Sequence, residues 1–208
     1  MNAQELLREQ IISKAVVHGK VILSSGKEAD YYVDLRRVTL DHVAAPLVGE
    51  VMLELTKDLE FDAVGGLTLG ADPVATAMMH VAASKGRALD SFVVRKAEKA
   101  HGLQRRIEGP DVVGKRVLAV EDTSTTGGSV LTAVEALKEA GANIKGMAAI
   151  FTYGFDVAEE NFKKANVELY TLSNYENLLN LAVTKTYITE EEQQTLSEWN
   201  QSPSTWNV

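Results

Sequence analysis

At 208 residues and 45% hydrophobic content, the chain is long enough to bury one sizeable core, and we expect a single domain over residues 1–208. Its net charge of −8 argues against nucleic acid as a general partner, and the absence of cysteine excludes disulfides and thiolate metal sites. Acidic residues stand where a signal peptide needs an apolar core, and no apolar run approaches ~18 residues, so we expect a cytoplasmic protein without a membrane segment.

The first 40 residues predict a helix followed by a β-hairpin. Apolar residues recur at helical spacing over residues 4–17, which predicts an amphipathic helix. Two apolar runs then flank Ser24, Ser25 and Gly26, and this pattern is typical of a strand, a turn and a second strand at residues 31–35.

Helices and strands alternate in the next part of the chain. The pattern predicts helices over residues 42–59 and 73–85 and strands at residues 63–66 and 91–94. Several small residues between the first of these strands and its helix would let the backbone approach a ligand closely: Gly65, Gly66, Gly70 and Ala71.

A connection of roughly twenty residues follows Val94 without a clear apolar periodicity, and loops of that length in compact domains are usually lids, binding loops or disordered segments. This acidic chain concentrates cations there: Arg95, Lys96, Lys99, Arg105 and Arg106. A solvated charged surface is one interpretation of this loop. A lid that binds an anion is the other.

The segment V-L-A-V-E-D-T-S-T-T-G-G-S, from Val117 to Ser129, carries the strongest functional signal. Its four apolar residues are typical of a strand buried on both faces of a parallel sheet, and we expect the strand to end where Glu121 and Asp122 begin. A helical pattern starts after Ser129 and stops at Gly141. The acids and a Gly/Thr-rich loop therefore lie between a strand and a helix N-terminus, where ligands bind in open α/β sheets.

The residue types in this loop suit a phosphorylated sugar. Helix N-terminal amides, glycines and hydroxyl groups together suit a phosphate monoester. Glu121 and Asp122 would repel that phosphate, but they can accept hydrogen bonds from vicinal sugar hydroxyls. We therefore predict a ribose 5-phosphate site, with an ordinary turn between strand and helix as the alternative. The loop lacks the Gly-Lys-Ser/Thr ending of a Walker A motif.

The last third of the chain predicts further strands and helices. Strands are expected at residues 145–152 and 167–171, with a helix at 156–165 between them. Two more helices are expected at residues 174–184 and 189–200, the second opened by a capping box.

Two motifs resemble those of a known family. The segment at 117–129 resembles the phosphoribosyl pyrophosphate motif of type I phosphoribosyltransferases, and R-K-A-E-K-A-H-G at 95–102 resembles the mobile catalytic loop of the family's orotate-specific members. The resemblance implies an α/β fold, with a central parallel sheet of about five strands flanked by helices. It also implies a core over about 42–172 and a small hood from about 1–40 and 174–208.

The same resemblance implies a reaction and its partners. The 5-phosphoribosyl group would pass from 5-phosphoribosyl 1-pyrophosphate to orotate, giving orotidine 5′-monophosphate and pyrophosphate in pyrimidine biosynthesis. Mg²⁺ would be held mainly through substrate oxygens, because the sequence shows no dedicated carboxylate cage. The resemblance further implies a homodimer whose active sites are shared across the interface. The net charge and the lack of a long apolar run lead us to expect neither nucleic acid nor a membrane as partner.

Residue roles are carried over position by position. Lys99, His101 and Asp122 would be catalytic, with His101 either an electrostatic partner or a proton donor. Glu121 and Asp122 would hold the ribose hydroxyls. Orotate would contact Thr125, Tyr32 and Tyr153. Pyrophosphate would contact Arg95, Lys96, Lys99 and His101, and the 5-phosphate would lie in a cradle of Thr123, Ser124, Thr125, Thr126, Gly127, Gly128 and Ser129.

The sequence departs from the family at three positions and leaves two other functions open. Ser24 and Gly70 stand where many relatives have lysine, and Tyr153 stands close to where many have an arginine that contacts the substrate carboxylate. One alternative is a phosphoribosyltransferase for another nucleobase. The other is a non-catalytic regulator that senses nucleotides with the same fold.

Overall fold

A computed structural model of the chain describes residues 2–22, 28–96 and 106–201, with side chains for all of these except 17–22 and 28–32. The strands in this part are β1 (Val16–Ile22), β2 (Glu28–Val33), β3 (Ala63–Leu67), β4 (Asp90–Val94), β5 (Ile107–Glu108), β6 (Arg116–Ser124), β7 (Asn143–Thr152) and β8 (Leu169–Asn174). The helices are α1 (Ala3–Ala15), α2 (Arg36–Thr39), α3 (Ala44–Leu55), α4 (Ala71–Ser84), α5 (Gly128–Glu139), α6 (Asp156–Ala165), α7 (Tyr175–Thr184) and α8 (Glu190–Gln201).

A six-stranded sheet in the order β5-β4-β3-β6-β7-β8 forms the centre of the fold. The five strands from β4 to β8 in this order are parallel, which confirms the predicted parallel sheet. The sixth strand, β5, was not predicted. It has two residues and pairs antiparallel with β4 at the edge of the sheet.

Helices cover both faces of the sheet and divide the core into two layers. Residues of α1, α3, α4 and α7 pack on one face, and residues of α5 and α6 pack on the other. Along β6, Leu118 and Val120 belong to the first layer, whereas Val117 and Ala119 belong to the second. This alternation is the two-residue period of a strand buried on both sides.

Glycines in β3 allow the neighbouring strands to pack closely. A side chain at Gly65 would overlap the backbone of Phe92 in β4, and one at Gly66 would overlap the backbone of Val120 in β6. These small residues were predicted to admit a ligand. In the structure, protein atoms fill the space that their side chains would take.

The chain changes direction across the sheet between β3 and β6. From β3 it proceeds to β4 on one side, whereas from β6 it proceeds to β7 and β8 on the other. Helix α4, which follows β3, and helix α5, which follows β6, therefore pack on opposite faces of the sheet, and we call the region between their N-termini the crevice. In open α/β sheets, ligands bind at such a switch point.

The terminal segments pack outside this sheet. The predicted hairpin is present, with β1 antiparallel to β2, but β1 starts at Val16 because α1 ends two residues earlier than expected. Lys185, which follows α7, donates to Glu9 of α1 at 2.5 Å. The division into core and hood remains a prediction. No described helix is both long and apolar enough to cross a bilayer.

Candidate active site

The carboxyl end of β6 places two acids in the crevice. The sequence predicted that this strand would end at Val120, but it continues through Glu121 and Asp122 to Ser124. Backbone pairing with β7 runs this far, with Thr123 opposite Phe151. The strand expectation was wrong because pairing with a neighbouring strand outweighed the polar composition of these residues.

Glu121 and Asp122 form what we call the acid pair. Glu121 is 6% exposed, and its Oε1 accepts a hydrogen bond from the Asp122 amide at 3.2 Å. Asp122 Oδ1 in turn accepts from the Thr123 amide at 2.7 Å. Burial, reinforced by the neighbouring Asp122 charge, raises the pKa of Glu121 to about 8. Burial also raises the pKa of Asp122.

The loop after β3 closes over the acid pair. A side chain at Gly70 would overlap Glu121 Oε1 and lie 2.8 Å from Asp122 Oδ1, so this position needs glycine for the acids to keep their places. Thr68 fixes the loop, since its amide donates to Val94 O at 2.9 Å and its hydroxyl donates to Asp72 Oδ2 at 2.6 Å. The Thr68–Leu69 peptide bond is cis.

The predicted phosphate cradle lies where β6 gives way to α5. Gly127 has a left-handed φ of 79°, and a side chain there would lie 2.7 Å from the Phe162 ring. Asn161 of α6 holds the loop by donating to Thr126 O at 3.0 Å. No side chain caps α5. Its first N–H groups are therefore the natural donors for an anion.

Hydroxyl side chains surround this helix start to different degrees. Thr125, Thr126 and Ser129 are exposed, and Thr123 is half-buried. Ser124 differs, because its side chain is only 1% exposed and points its hydroxyl into the protein interior. The Ser124 hydroxyl is therefore not available to a phosphate.

Two of the predicted pyrophosphate contacts lie at the end of β4, on the same sheet edge as the acid pair. The Arg95 amide donates to Arg106 O at 2.8 Å, and its Nη1 donates to Glu108 Oε1 at 3.5 Å. Lys96 is exposed. Lys99 and His101 lie outside the described residues, so their roles remain predictions.

Known proteins match the chain over most of its length. The profile of the family described as "Phosphoribosyl transferase domain" matches residues 41–177. Orotate phosphoribosyltransferase from Streptomyces avermitilis is 71% identical over 154 residues, which are 74% of this chain and 85% of that protein.

The chain belongs to the orotate phosphoribosyltransferase family. The crystal structure of a Mycobacterium tuberculosis H37Rv member in complex with 5-phosphoribosyl 1-pyrophosphate superposes with a TM-score of 0.73 at 45% identity. It covers 85% of this chain and 99% of its own. Adenine phosphoribosyltransferase from Thermoanaerobacter pseudethanolicus shares the fold, with a TM-score of 0.57 at 14% identity.

Of the residues predicted to contact the nucleobase, Tyr153 is the best defined. Tyr153 directly follows β7. Its ring stacks on those of Tyr175 and Phe155, with centroid distances of 5.6 Å and 5.4 Å. The Trp199 ring of α8 packs edge-on against it, with a centroid distance of 6.2 Å. Asn200 donates to its carbonyl at 3.0 Å. Tyr153 is thus held firmly at the carboxyl edge of the sheet, and its contact with orotate remains a prediction.

The position of Tyr32 is known only through its backbone. It lies in β2 opposite Val17 of β1, as the predicted hairpin requires. Its contact with orotate also remains a prediction.

Sequence reasoning did not single out one charged pair that acts on Asp122. Asp34 and Arg36 lie directly after β2, and the Arg36 Nε–H donates to Asp34 Oδ1 at 2.8 Å. Both charges act on Asp122, whose pKa is raised chiefly by burial, lowered by Arg36 and raised by Asp34. This electrostatic effect on Asp122 arises from the fold, since Asp34 and Arg36 are far from Asp122 in the sequence. The only hint in the sequence is the run D-L-R-R beside the predicted hairpin.

Proposed function

We propose that this chain transfers the 5-phosphoribosyl group from 5-phosphoribosyl 1-pyrophosphate to orotate. The bond between ribose C1 and a pyrophosphate oxygen breaks, the bond between C1 and a ring nitrogen of orotate forms, and that nitrogen loses its proton. The observation that carries this proposal is the acid pair, placed beside the uncapped N-terminus of α5 at the switch point of the sheet. The family to which the chain belongs supports the choice of orotate.

The start of α5 binds the 5-phosphate of the donor. The first-turn amides point towards the carboxyl edge of the sheet, and the helix dipole adds partial positive charge there. Exposed hydroxyls of Thr125, Thr126 and Ser129 add donors. Gly127 supplies the left-handed turn that lets the loop wrap the phosphate.

The acid pair binds the ribose hydroxyls. Burial deprives the two carboxyl groups of solvation, and their charges also repel each other, which is why the pKa of Glu121 rises to about 8. Without a ligand, the raised pKa means that the acid pair keeps a proton. Two vicinal ribose hydroxyls can each donate a hydrogen bond to a carboxylate and so take the place of that proton. Negative charge below the sugar also stabilises the positive charge that grows on the ribose ring as pyrophosphate leaves, and Asp122 acts in catalysis in this way.

Pyrophosphate departs towards the cations that follow β4 in the chain. Arg95 and Lys96 lie at the carboxyl edge of the sheet, and Lys99 and His101 follow them in the chain. Positive groups fixed in advance stabilise the negative charge that develops on the leaving group. The N-terminus of α4, which begins at Ala71 after the cis peptide, adds backbone amides on the same side.

Mg²⁺ would act mainly through the oxygens of the substrate. Among the described residues, no group of three or more His, Asp or Glu side chains is arranged to hold a metal ion. The acid pair gives carboxylate oxygens close to the ribose, and Mg²⁺ prefers oxygen ligands while keeping substrate and water in its shell. When bound, the ion would neutralise pyrophosphate charge as the bond to C1 breaks.

We further propose a homodimer with shared active sites and a cytoplasmic location. The dimer would let Lys96, Lys99 and His101 of one subunit act partly in the site of the other. Mixing an acid-pair variant with a Lys99 variant tests this idea, since shared sites restore part of the activity in mixed dimers.

Initial rates with a panel of bases test the proposed function. We expect formation of orotidine 5′-monophosphate from orotate and 5-phosphoribosyl 1-pyrophosphate in the presence of Mg²⁺, with little product from uracil, adenine or hypoxanthine. Activity with a purine and none with orotate would reverse the choice of substrate. An inactive protein that still binds nucleotides would favour a regulator.

A further inference from the structure

The incoming nucleobase and the departing pyrophosphate lie on opposite sides of ribose C1. In the proposed function, on which this inference rests, a ring nitrogen approaches C1 roughly in line with the bond to pyrophosphate that breaks. Pyrophosphate departs towards the end of β4, which lies on the β3 side of β6. The base is therefore expected on the other side of β6, where the neighbouring strand is β7.

The loop that follows β7 borders this side of the site. Ser124 ends β6 two residues after the acid pair, and its carbonyl accepts a hydrogen bond from the Tyr153 amide at 3.2 Å. The loop then turns, since Gly154 has a left-handed φ of 71° and its amide donates to Thr152 Oγ1 at 3.1 Å. Tyr153 is thus tied directly, through its backbone, to the strand that carries the acid pair.

Helix α8 holds Tyr153 at two separate points. The Nδ2 of Asn200 donates to the Tyr153 carbonyl at 3.0 Å. The ring of Trp199, the preceding residue, packs edge-on against the Tyr153 ring with a centroid distance of 6.2 Å. Two consecutive residues of one helix therefore restrain both the backbone and the side chain of Tyr153.

Other rings contact Tyr153 from outside α8. Tyr175 and Phe155 stack on it, and Phe151 packs edge-on with a centroid distance of 5.0 Å. The Trp199 ring also lies against Tyr175, with a centroid distance of 5.8 Å. The indole thus touches two neighbouring rings of the stack at once. Without it, the other rings would keep Tyr153 in the cluster but would no longer fix the angle of its ring.

Helix α8 contributes little else to the core. None of its residues is fully buried. Leu196 and Trp199 are partly buried and pack against the first core layer. Because the contacts of so exposed a helix are marginal to the central sheet, a change at Trp199 should affect the loop after β7 more than the global fold.

We propose that Trp199 and Asn200 are positioning residues for the nucleobase. They hold Tyr153 in the geometry in which its side chain borders the space for orotate, and they act through Tyr153 alone. Helix α8 thus sets the affinity for the base. The ribose and its 5-phosphate are held elsewhere, by the acid pair and the start of α5.

Steady-state kinetics of the full-length protein test this proposal. We expect Trp199→Ala to raise the KM for orotate about fivefold or more, equivalent to about 1 kcal/mol, with the dissociation constant of 5-phosphoribosyl 1-pyrophosphate unchanged. Trp199→Phe keeps an aromatic edge and should recover most of this loss. Asn200→Asp replaces the donor with a charge that faces the Tyr153 carbonyl, so it should raise the same KM. If Trp199→Ala does not fold, Asn200→Asp decides the outcome alone.

A double-mutant cycle separates action through Tyr153 from any direct effect of α8. If Trp199 acts only by placing Tyr153, Trp199→Ala should change the KM for orotate little when Tyr153→Ala is already present. Additive losses in the double variant would overturn the proposal.

Leu196→Ala is the matched control. Leu196 belongs to the same helix and also packs against the first core layer, so its truncation should lower Tm and leave the KM for orotate unchanged. An equal rise in KM in Leu196→Ala, or an unchanged KM in Asn200→Asp or folded Trp199→Ala, would overturn the proposal and leave the proposed function intact. Wild-type protein that makes no orotidine 5′-monophosphate would refute the proposed function, and this inference with it.

Discussion

The two ends of β6 carry charge in opposite ways. At the amino end, Arg116 donates through Nε to Asp62 Oδ2 at 3.0 Å and through Nη2 to Asp62 Oδ1 at 2.6 Å. These hydrogen bonds are the main reason that the pKa of Asp62 falls to about 2. At the carboxyl end, the acid pair places two carboxyl groups together, and burial raises the pKa of both.

This difference separates what stabilises the fold from what serves the reaction. Opposite charges at the amino end favour the folded state without any ligand. Like charges at the carboxyl end disfavour it until hydrogen-bond donors or cations arrive, which is typical of functional sites. Changes at the carboxyl end should therefore alter catalysis, and matching changes at the amino end should alter stability alone.

The largest effect is expected from neutralising the acid pair. The double variant Glu121→Gln, Asp122→Asn keeps the side-chain shapes but removes the charge that the ribose and its transition state require. We expect kcat/KM for 5-phosphoribosyl 1-pyrophosphate to fall by about a hundredfold or more, equivalent to about 2.7 kcal/mol. Steady-state kinetics at saturating orotate measure this.

The amino end offers a matched control for this double variant. Glu60→Gln with Asp62→Asn makes the same chemical changes around Arg116. The control should keep the wild-type kcat/KM. Equal losses in the two double variants would mean that the kinetic effect reflects general damage to β6.

A smaller loss of activity is expected from changing Lys99, which follows β4 in the chain. Lys99→Ala should lower kcat at least about tenfold, or about 1.4 kcal/mol, because pyrophosphate departs with one cation fewer to stabilise it. Lys115 is the lysine for comparison, since it pairs with Asp90 at 2.6 Å near the amino edge. An unchanged kcat in Lys99→Ala, or an equal loss in Lys115→Ala, would remove this loop from the mechanism.

Asp62→Asn should lower Tm and leave kcat unchanged. The pKa of Asp62 is about 2 in the folded protein and near 3.8 when unpaired. Its stabilising effect is therefore fully present above about pH 4 and is lost as the pH falls towards 2. Thermal unfolding of the two proteins should differ at pH 7 and converge near pH 2. A Tm difference that is constant with pH would exclude the ion pair as its cause.

The acid pair should give the opposite pH dependence, with the smallest effect. The pKa of Glu121 is near 4.5 when unfolded and about 8 when folded. The folded state therefore binds the proton more tightly between these values, and the free energy of unfolding falls as pH rises through this window. Glu121→Gln should remove this fall and raise Tm above pH 8 by about 2–4 °C. If Glu121→Gln were less stable than wild type at pH 8.5, the ionised acid pair would not destabilise the folded state, and this account would be contradicted.

The local pattern of apolar, turn and capping residues was enough to predict most of the strands and helices. Helix α6 begins and ends at the predicted residues, and the parallel strands follow their apolar runs. Strand β5 has only two residues and forms through pairing with β4, so no sequence period could reveal it. The carboxyl end of β6 was missed because its polar residues are held in the strand by β7.

The candidate site was predictable only where its residues are consecutive. The acid pair and the loop to Ser129 are one continuous segment, so their residue types revealed their chemistry. The charges of Asp34 and Arg36 act on Asp122, and Gly70 packs against Glu121. Neither interaction leaves a periodic signal in the sequence, since both depend on tertiary structure.

The most direct measurement is a crystal structure of this protein with 5-phosphoribosyl 1-pyrophosphate and Mg²⁺. We predict the ribose hydroxyls within hydrogen-bonding distance of Glu121 and Asp122, and the 5-phosphate against the first amides of α5. A donor bound elsewhere, with the crevice between β3 and β6 empty, would contradict the account.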